Sequence, residues 1–351
     1  MNRTNEFYEE TMSHTEKIGI LGAGTWGIAL ARMLAGAGRA VTVWSAIGKE
    51  IDGLASTGTH PNLPGVLLPR EIVYTKEIGD ACVGSDIVVF AVPSPYVRAT
   101  AKKAAPYIQD GQIIVDVAKG IEEGTLFTMT EIIADEIRNG AVKYVALSGP
   151  THAEEVVRDL PTTIVSASSD REAAAFVQAV FTTPVLRVYT NSDVRGVELC
   201  GALKNIIALA SGIATGFGCG DNTKAALITR GIAEISRLGT AMGCREQTFG
   251  GLAGIGDLIV TATSMHSRNN RCGMLIGQGA SVAEAIERVG MVVEGINALP
   301  AAVALAKKYG VEMPIVETVD AIVSGRMTVA QAINALMTRE PKSELSASAF
   351  L

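Results

Sequence analysis

A short apolar run is followed directly by the pattern Gly-x-Gly-x-x-Gly in the stretch Lys17-Ile18-Gly19-Ile20-Leu21-Gly22-Ala23-Gly24-Thr25-Trp26-Gly27. An alanine-rich helical pattern follows over residues 28–34, and a β-branched run over residues 41–44 completes a βαβ unit. The pattern alone is weakly specific in a chain with 37 glycines, so its flanks carry the inference. We interpret the stretch as the start of a dinucleotide-binding domain. The alternative is a glycine-rich turn in an ordinary α/β protein.

Each glycine of the pattern has a separate mechanical role in such a unit. Gly22 permits the tight turn out of the strand, and Gly24 lets the backbone approach a pyrophosphate. Gly27 lets the helix pack against the strand, and the helix N-terminus directs free N–H groups at the phosphates. We therefore predict that these three glycines form part of a dinucleotide site.

The composition is typical of a folded chain with two domains. The 351 residues exceed one typical domain, and 48% hydrophobic with 19% charged residues disfavours disorder. A net charge of -6 without basic clusters gives no reason to expect nucleic acid. Residues 1–16 lack the apolar core of a secretory signal, and the uncharged stretch 205–220 is too short and glycine-interrupted to span a bilayer.

The cysteines and histidines bear on compartment and metal content. The chain has 5 cysteines and 4 histidines, all dispersed, and no two cysteines form a close pair. This spacing argues for reduced thiols in a cytoplasm and against a metal site. We expect a cytoplasmic protein that binds no metal ion.

The two halves of the chain differ in their periodicity. Short apolar runs that end in turn residues alternate with helical patterns up to about residue 190, which indicates a buried, mostly parallel sheet with helices on both faces. From there to about residue 337 only helical periodicity is found. The predicted organisation is a polar extension (1–16), an α/β dinucleotide-binding domain of the Rossmann type (17–192), an all-helical domain (193–339) and a loose tail (340–351).

Three loops of the first half are candidates for a ligand pocket. In a parallel sheet, ligands bind outside the carboxyl ends of the strands. The turns that follow predicted strands there contain Pro93-Ser94, Lys119-Gly120 and Ser148-Gly149-Pro150-Thr151. We expect these loops to lie at one edge of the sheet.

A lysine inside an apolar helical pattern is the strongest catalytic candidate. Lys204 and Asn205 stand between Leu203 and Ile206-Ile207. A lysine is rarely buried without a partner, and burial would lower its pKa towards neutrality, where it can donate and accept a proton. We interpret Lys204 as lining a cleft between the two domains. The alternative is a lysine that snorkels at the edge of the helix.

Further polar groups stand in the apolar second half. Asp257 follows Gly254-Ile255-Gly256 and enters an apolar run, so it caps a helix, faces a site, or does both. Ser267, Arg268 and Asn269 supply a hydroxyl, a guanidinium fork and an amide, which are the donors that a phosphate group needs. The alternative for this cluster is a solvated loop.

The order of these segments resembles that of the bacterial-type NAD(P)-dependent glycerol-3-phosphate dehydrogenases. From about residue 17 to about residue 325, the resemblance is carried by Gly22–Gly27, Ala118–Gly120, Leu147–Ala153, Leu203–Asn205, Ile228–Gly231, Gly254–Leu258, Ser267–Asn269 and Val292–Gly295. Each segment alone is unspecific, whereas their common order is very specific. The resemblance implies reduction of dihydroxyacetone phosphate to sn-glycerol 3-phosphate, the backbone precursor of phospholipids. It also implies a cytoplasmic homodimer with a helical domain of the 6-phosphogluconate dehydrogenase type.

The resemblance further implies roles for single residues. Lys204 matches the proton donor and acceptor, and we expect Lys119 and Asp257 to act with it. The residues that match substrate contacts are Lys119, Gly149, Thr151, Lys204, Asp257, Ser267, Arg268 and Asn269. The expected coenzyme contacts are Gly22, Gly24, Thr25, Trp26, Gly27, Ser45, Lys119, Ala153, Arg268, Val292 and Glu294.

The implied reaction needs positive charge at two places. Dihydroxyacetone phosphate is a small dianion, which Arg268 and its neighbours would bind. Hydride transfer from the nicotinamide to the C2 carbonyl leaves an alkoxide, which Lys204 would protonate while Lys119 adds to the field and Asp257 orients the ammonium group. The reaction needs no metal.

The end of the second strand bears on the choice of coenzyme. NAD-preferring βαβ units usually place Asp or Glu there to bind the ribose 2′-hydroxyl. Here Ser45-Ala46 occupy this place, no acid comes before Glu50, and Arg39 or Lys49 could supply charge to a 2′-phosphate. We therefore predict that NADPH is used at least as well as NADH.

Two other functions stay open on sequence alone. A related two-domain dehydrogenase for a β-hydroxy acid would need a carboxylate pocket, and the cluster at residues 267–269 favours phosphate instead. A non-catalytic dinucleotide-sensing protein would have no reason to bury Lys204, and the chain lacks a basic DNA-binding arm.

Overall fold

The computed structural model describes residues 15–341 and 343–344. Residues 1–14 of the predicted polar extension, and 342 and 345–351 of the predicted loose tail, lie outside this part of the chain. Glu16, which the prediction places in the extension, is buried and forms an ion pair with Arg39. The first strand begins directly after it, at Lys17.

Eight strands form one sheet in the order β3-β2-β1-β4-β5-β6-β7-β8. They are β1 (Lys17–Leu21), β2 (Ala40–Trp44), β3 (Val73–Thr75), β4 (Ile87–Phe90), β5 (Ile113–Asp116), β6 (Lys143–Ser148), β7 (Thr162–Ala167) and β8 (Leu186–Asn191). Every neighbouring pair is parallel except β6 and β7. The prediction of a buried, mostly parallel sheet is confirmed.

Seven helices cover the two faces of this sheet in the described chain. They are α1 (Thr25–Gly36), α2 (Gly48–Thr57), α3 (Ile78–Cys82), α4 (Val97–Ala104), α5 (Met129–Ile137), α6 (Ala153–Val156) and α7 (Arg171–Phe181). Along β4, Ile87 and Val89 join the apolar core under α1 and α7, while Val88 and Phe90 join the core under α3, α4 and α5. The strand is apolar along its whole length because both of its faces are buried.

The second half of the described chain contains helices and turns but no strand, as the periodicity predicts. The helices are α8 (Val194–Phe217), α9 (Asp221–Ala241), α10 (Glu246–Phe249), α11 (Asp257–Thr263), α12 (Arg268–Gly277), α13 (Val282–Val289), α14 (Glu294–Asn297), α15 (Leu299–Tyr309), α16 (Pro314–Val323) and α17 (Val329–Met337). A π-type turn, Leu252–Gly256, precedes α11. The fold is thus a Rossmann-type α/β half followed by a helical half.

Helix α8 is the central element of the helical half. Asp193 caps it by accepting a hydrogen bond from the Gly196 N–H at 3.0 Å, a position for which the sequence favours an N-cap. The helix is long and apolar enough to cross a bilayer, but the window that meets this criterion is 100% buried inside the protein. Such burial is what the core helix of a globular domain shows.

Helix α12 packs unusually closely on α8 through glycines. A Cβ atom added at Gly212 would lie 2.1 Å from the carbonyl oxygen of Asn270, and one at Gly273 would lie 2.2 Å from that of Leu209. The backbones are therefore in direct contact, and this contact holds α12, which begins at Arg268, against α8, which contains Lys204.

Valine in place of Gly212 should force the two helices apart. We expect Gly212→Val to lower the free energy of unfolding by about 1–3 kcal/mol or more, because overpacking against backbone cannot be relieved by side-chain rotation. Urea unfolding measures this change. Gly53→Ala in α2 is the matched control: nothing lies within 4 Å of its Cβ position, so it should be neutral or stabilising. Equal stability of the Gly212 variant and wild type would contradict the argument.

Candidate active site

The glycine pattern forms the turn between β1 and α1. Gly22 has a φ of 128°, and a Cβ atom at Gly27 would lie 2.1 Å from the Gly22 carbonyl oxygen. Gly24 is exposed, with no atom within 4 Å of its Cβ position, and it immediately precedes α1. The first and third glycines are thus required by sterics, whereas the second leaves open space at a helix N-terminus, where a phosphate group fits.

The next two residues form the start of α1. Thr25 Oγ1 is buried and has no hydrogen-bond partner among the described residues. Trp26 is partly buried and packs against the core of the sheet. A buried hydroxyl without a partner is rare in proteins, and here it fits an oxygen atom of a bound dinucleotide.

A carboxylate joins two lysines from the two halves of the chain. Asp257 accepts a hydrogen bond from Lys119 Nζ at 2.6 Å through Oδ2 and from Lys204 Nζ at 2.8 Å through Oδ1. Lys119 lies in the loop after β5, Lys204 in the middle of α8, and Asp257 at the start of α11. The alternative of a capping aspartate is wrong, because Gly256 occupies the N-cap position.

Lys204 is enclosed by protein, which excludes the alternative of a snorkelling side chain. It is 5% exposed, and its ammonium group also donates to Thr261 Oγ1. Burial lowers the pKa of Lys204 to about 7, an effect that Lys119 reinforces and Asp257 opposes. A group with a pKa near neutrality can both donate and accept a proton at physiological pH.

Asp257 stays ionised between the lysines. Burial raises the pKa of its carboxyl group, but the charges of Lys119 and Lys204 outweigh burial and hold the pKa below its ordinary value. Two ammonium groups and one carboxylate leave a net positive charge, which can stabilise an oxyanion.

The loop after β6 contributes to the same place. The Gly149 carbonyl oxygen accepts hydrogen bonds from Lys119 Nζ and from Thr151 Oγ1, each at 3.1 Å. His152 follows, and the centroid of its ring lies 5.8 Å from that of His266, which belongs to the helical half. Burial lowers the pKa of His152. Ala153 then begins α6.

The polar cluster at residues 267–269 begins helix α12 and is not a solvated loop. Ser267, 4% exposed, caps the helix by accepting from the Asn270 N–H at 3.2 Å. The Asn269 amide is engaged within the protein, since it donates to Asn205 Oδ1 at 3.0 Å and accepts from the Gly295 N–H at 2.8 Å. Among the described residues, none hydrogen-bonds to the guanidinium group of Arg268, so it is the member of the cluster left to bind a ligand.

Glu294 links the helical half to the turn after β4. It is the first residue of α14, and its carboxylate accepts from the Ser94 N–H at 3.0 Å and from the Ser94 hydroxyl. Val292, two residues earlier, is partly buried. Val292 and Val293 therefore lead directly into a short helix, with Val293 at its N-cap.

Thr261 is a site residue that the sequence reasoning did not single out. Its hydroxyl accepts from Lys204 and donates to the Asp257 carbonyl oxygen at 2.6 Å. It stands four residues after Asp257 on the same helix, so its spacing from a candidate carboxylate was the available signal.

The end of β2 differs from the sequence interpretation. Ser45 is buried, and its hydroxyl donates to Glu50 Oε2 at 2.6 Å. Arg39 precedes β2 and pairs with Glu16, so it lies at the opposite end of the strand. The expectation that Arg39 supplies charge beside Ser45 is therefore wrong, while Lys49 is exposed in the first turn of α2.

Comparisons with known proteins agree with this architecture. The family model of the NAD-dependent glycerol-3-phosphate dehydrogenase N-terminus matches residues 17–174, and that of the C-terminus matches residues 193–334. Glycerol-3-phosphate dehydrogenase (NAD(P)+) 2 of Lactobacillus delbrueckii subsp. bulgaricus is 63% identical over 94% of this chain and 99% of its own length. The enzyme of Fusobacterium nucleatum is 51% identical over 94% of this chain and 98% of its own.

A solved structure shows the same fold over both halves. The crystal structure of glycerol-3-phosphate dehydrogenase from Coxiella burnetii has a TM-score of 0.89 and 35% identity, and covers 93% of this chain and 99% of its own. Family models, relatives and structure thus agree over nearly the whole length. The chain therefore belongs to the NAD-dependent glycerol-3-phosphate dehydrogenase family.

Proposed function

We propose that this protein reduces dihydroxyacetone phosphate to sn-glycerol 3-phosphate with NADH or NADPH, and that it catalyses the reverse reaction. The observation that carries the proposal is the cluster of Lys119, Lys204 and Asp257, which joins the carboxyl edge of the sheet to the helical half. An assay of nicotinamide absorbance with dihydroxyacetone phosphate and each reduced coenzyme tests it. A β-hydroxy acid turned over faster than dihydroxyacetone phosphate would contradict the proposal.

In the reaction, Lys204 supplies the proton. A bound nicotinamide would supply the hydride, and its transfer would leave the substrate C2 oxygen as an alkoxide. The Lys204 ammonium group, with its pKa lowered to about 7, donates a proton to this oxygen and recovers it in the reverse direction. Lys119 adds positive charge at the same place, and Asp257 orients both ammonium groups.

The coenzyme is held by the α/β half, residues 17–192, and by the edge of the helical half, residues 193–339. We place its pyrophosphate at Gly22, Gly24 and Gly27, since the open space before α1 and the unpartnered Thr25 hydroxyl suit phosphate oxygens. The further contacts that we propose are Trp26, Ser45, Lys119, Ala153, Arg268, Val292 and Glu294.

The substrate phosphate lies at the N-terminus of α12. Arg268 binds it with the free N–H groups of that helix end, and Ser267 holds the end in place as its cap. Asn269 acts through its backbone and by fixing Asn205, because its side-chain amide is already engaged. Gly149 and Thr151 close the pocket from the sheet side.

Arg268→Ala should weaken the binding of dihydroxyacetone phosphate by about ten- to hundredfold, because a hydrogen bond to a charged group contributes roughly 1.5–3 kcal/mol. Phosphate-free dihydroxyacetone should be affected far less. Comparing KM for the two substrates measures the difference. Arg138→Ala, at an arginine whose side chain is 80% exposed, is the control. Equal losses for both substrates would remove Arg268 from the phosphate site.

We further propose that the protein is a cytoplasmic homodimer. The proposal follows the family resemblance, and 5 free cysteines, four of them buried, suit a reducing compartment. Light scattering on the purified protein tests the oligomeric state, and a monomer at micromolar concentration would contradict it.

A further inference from the structure

The fold brings the carboxylate of Glu50 to the end of β2. Ser45 is the first residue after the strand and is 6% exposed. Its hydroxyl donates to Glu50 Oε2 at 2.6 Å and accepts from the Ile47 N–H at 3.1 Å. Glu50 lies in the first turn of α2, which folds back over the strand end. The carboxylate that the sequence lacks next to Trp44 is therefore present there in space.

This carboxylate lies beside the glycine turn. The Gly22 N–H donates to the Trp44 carbonyl oxygen at 2.8 Å, which fixes the end of β2 against the turn. His60, 8% exposed, has a hydrogen bond with the Ala23 backbone and also faces Glu50. Burial lowers the pKa of His60, and these two neighbours oppose that shift. In βαβ units the adenosine ribose lies at this corner.

Of the two lysines near this corner, Lys76 forms an ion pair, whereas Lys49 forms none among the described residues. Lys76 Nζ pairs with Asp52 Oδ1 at 2.6 Å, and Arg39 pairs with Glu16 at the far end of the strand. A carboxylate accepts hydrogen bonds from a ribose hydroxyl, whereas it repels the dianionic 2′-phosphate. Lys49 is exposed on the same turn, and no hydrogen bond or ion pair among the described residues fixes its ammonium group, whereas Ser45 fixes the Glu50 carboxylate.

We infer that Glu50, held by Ser45, is the residue that selects the coenzyme, and that it favours NADH over NADPH. The inference rests on the coenzyme site proposed above. It differs from the sequence-based prediction that NADPH is used at least as well as NADH, because that prediction took Ser45-Ala46, and not Glu50, as the group at the end of β2.

A purely structural role for the same contact makes a different prediction. Glu50 is the third residue of α2, so its contact with Ser45 also helps the helix to begin. If the contact had only that role, its loss would lower the melting temperature and weaken the binding of NADH and NADPH equally. A role of Glu50 in coenzyme selection predicts instead that its loss changes the ratio of the NADPH affinity to the NADH affinity.

The test compares wild type with Glu50→Gln and Glu172→Gln. Glutamine keeps an acceptor for the Ser45 hydroxyl but removes the charge. Glu172→Gln is the matched control, since Glu172 is an exposed glutamate in the first turn of another helix, α7. Dissociation constants are measured by nicotinamide fluorescence for NADH and NADPH, and by competition for AMP and adenosine 2′,5′-bisphosphate. Melting curves accompany each variant.

We expect wild type to bind NADH more tightly than NADPH. Glu50→Gln should strengthen binding of NADPH and of the bisphosphate by about five- to tenfold, and this gain should shrink as salt rises. Glu172→Gln should leave both ratios unchanged. If the ratio of the NADPH to the NADH dissociation constant of Glu50→Gln lies within about twofold of the wild-type ratio, the inference is overturned. That outcome leaves the proposed coenzyme site intact. Failure of wild type to bind either coenzyme overturns the site and the inference together.

Discussion

Lys204→Met should reduce turnover of dihydroxyacetone phosphate by about 10²–10⁴-fold, because proton transfer from a positioned group contributes that much to rate. Methionine keeps the apolar stem of the buried side chain and removes the ammonium group. Coenzyme affinity should persist, since the hydrogen bonds of the Lys204 ammonium group go to Asp257 and Thr261 and not to the glycine turn or α1. Turnover, coenzyme dissociation constants and a melting curve measured on one preparation separate these effects. Lys307→Met, at an exposed lysine, is the matched control.

The dependence of turnover on pH distinguishes a catalytic Lys204 from a lysine that contributes only to packing. Its pKa is lowered to about 7, so the protonated donor predominates below that pH and is lost above it. Turnover in the direction of reduction should therefore fall as pH rises through about 7, and oxidation of glycerol 3-phosphate should rise through the same range. Both inflections should vanish in Lys204→Met. Near-normal turnover of the variant would remove Lys204 from the mechanism.

Asp257→Asn should be the most destabilising single change at this site. It leaves the Lys119 and Lys204 ammonium groups facing an amide in a buried place, and removing one partner of a buried ion pair costs about 3–5 kcal/mol. Turnover should also fall, because neither ammonium group is oriented. Urea unfolding together with the assay of reduction measures both effects.

A double variant separates charge from packing at Asp257. Lys204→Met in the Asp257→Asn background removes one of the uncompensated charges, so it should restore part of the lost stability. The destabilisation of Asp257→Asn should also be smaller at alkaline pH, where Lys204 loses its proton. Additive losses in the double variant would show that the carboxylate does not act by compensating the lysines.

Periodicity and spacing were sufficient for the architecture. A run such as Ile87–Phe90 has no polar alternation because both its faces are covered, and this local property is visible in the chain itself. Gly22 and Gly27 are also recognisable in the sequence, since the close approach of a strand and a helix leaves no room for a Cβ atom at either position. Lys204 was recognisable because an ammonium group within an apolar helix needs a partner.

Only the tertiary structure decided which groups are paired. Asp257 contacts Lys119 across 138 residues, and no local pattern distinguishes that arrangement from a helix cap. The side-chain amide of Asn269 forms hydrogen bonds with Asn205 and Gly295, whereas the guanidinium group of Arg268 beside it forms none among the described residues and can bind a ligand. Glu50 reaches Ser45 because α2 folds back over β2. Sequence determines which chemical groups exist and which faces are buried. The long-range approach of charges depends on how the elements pack.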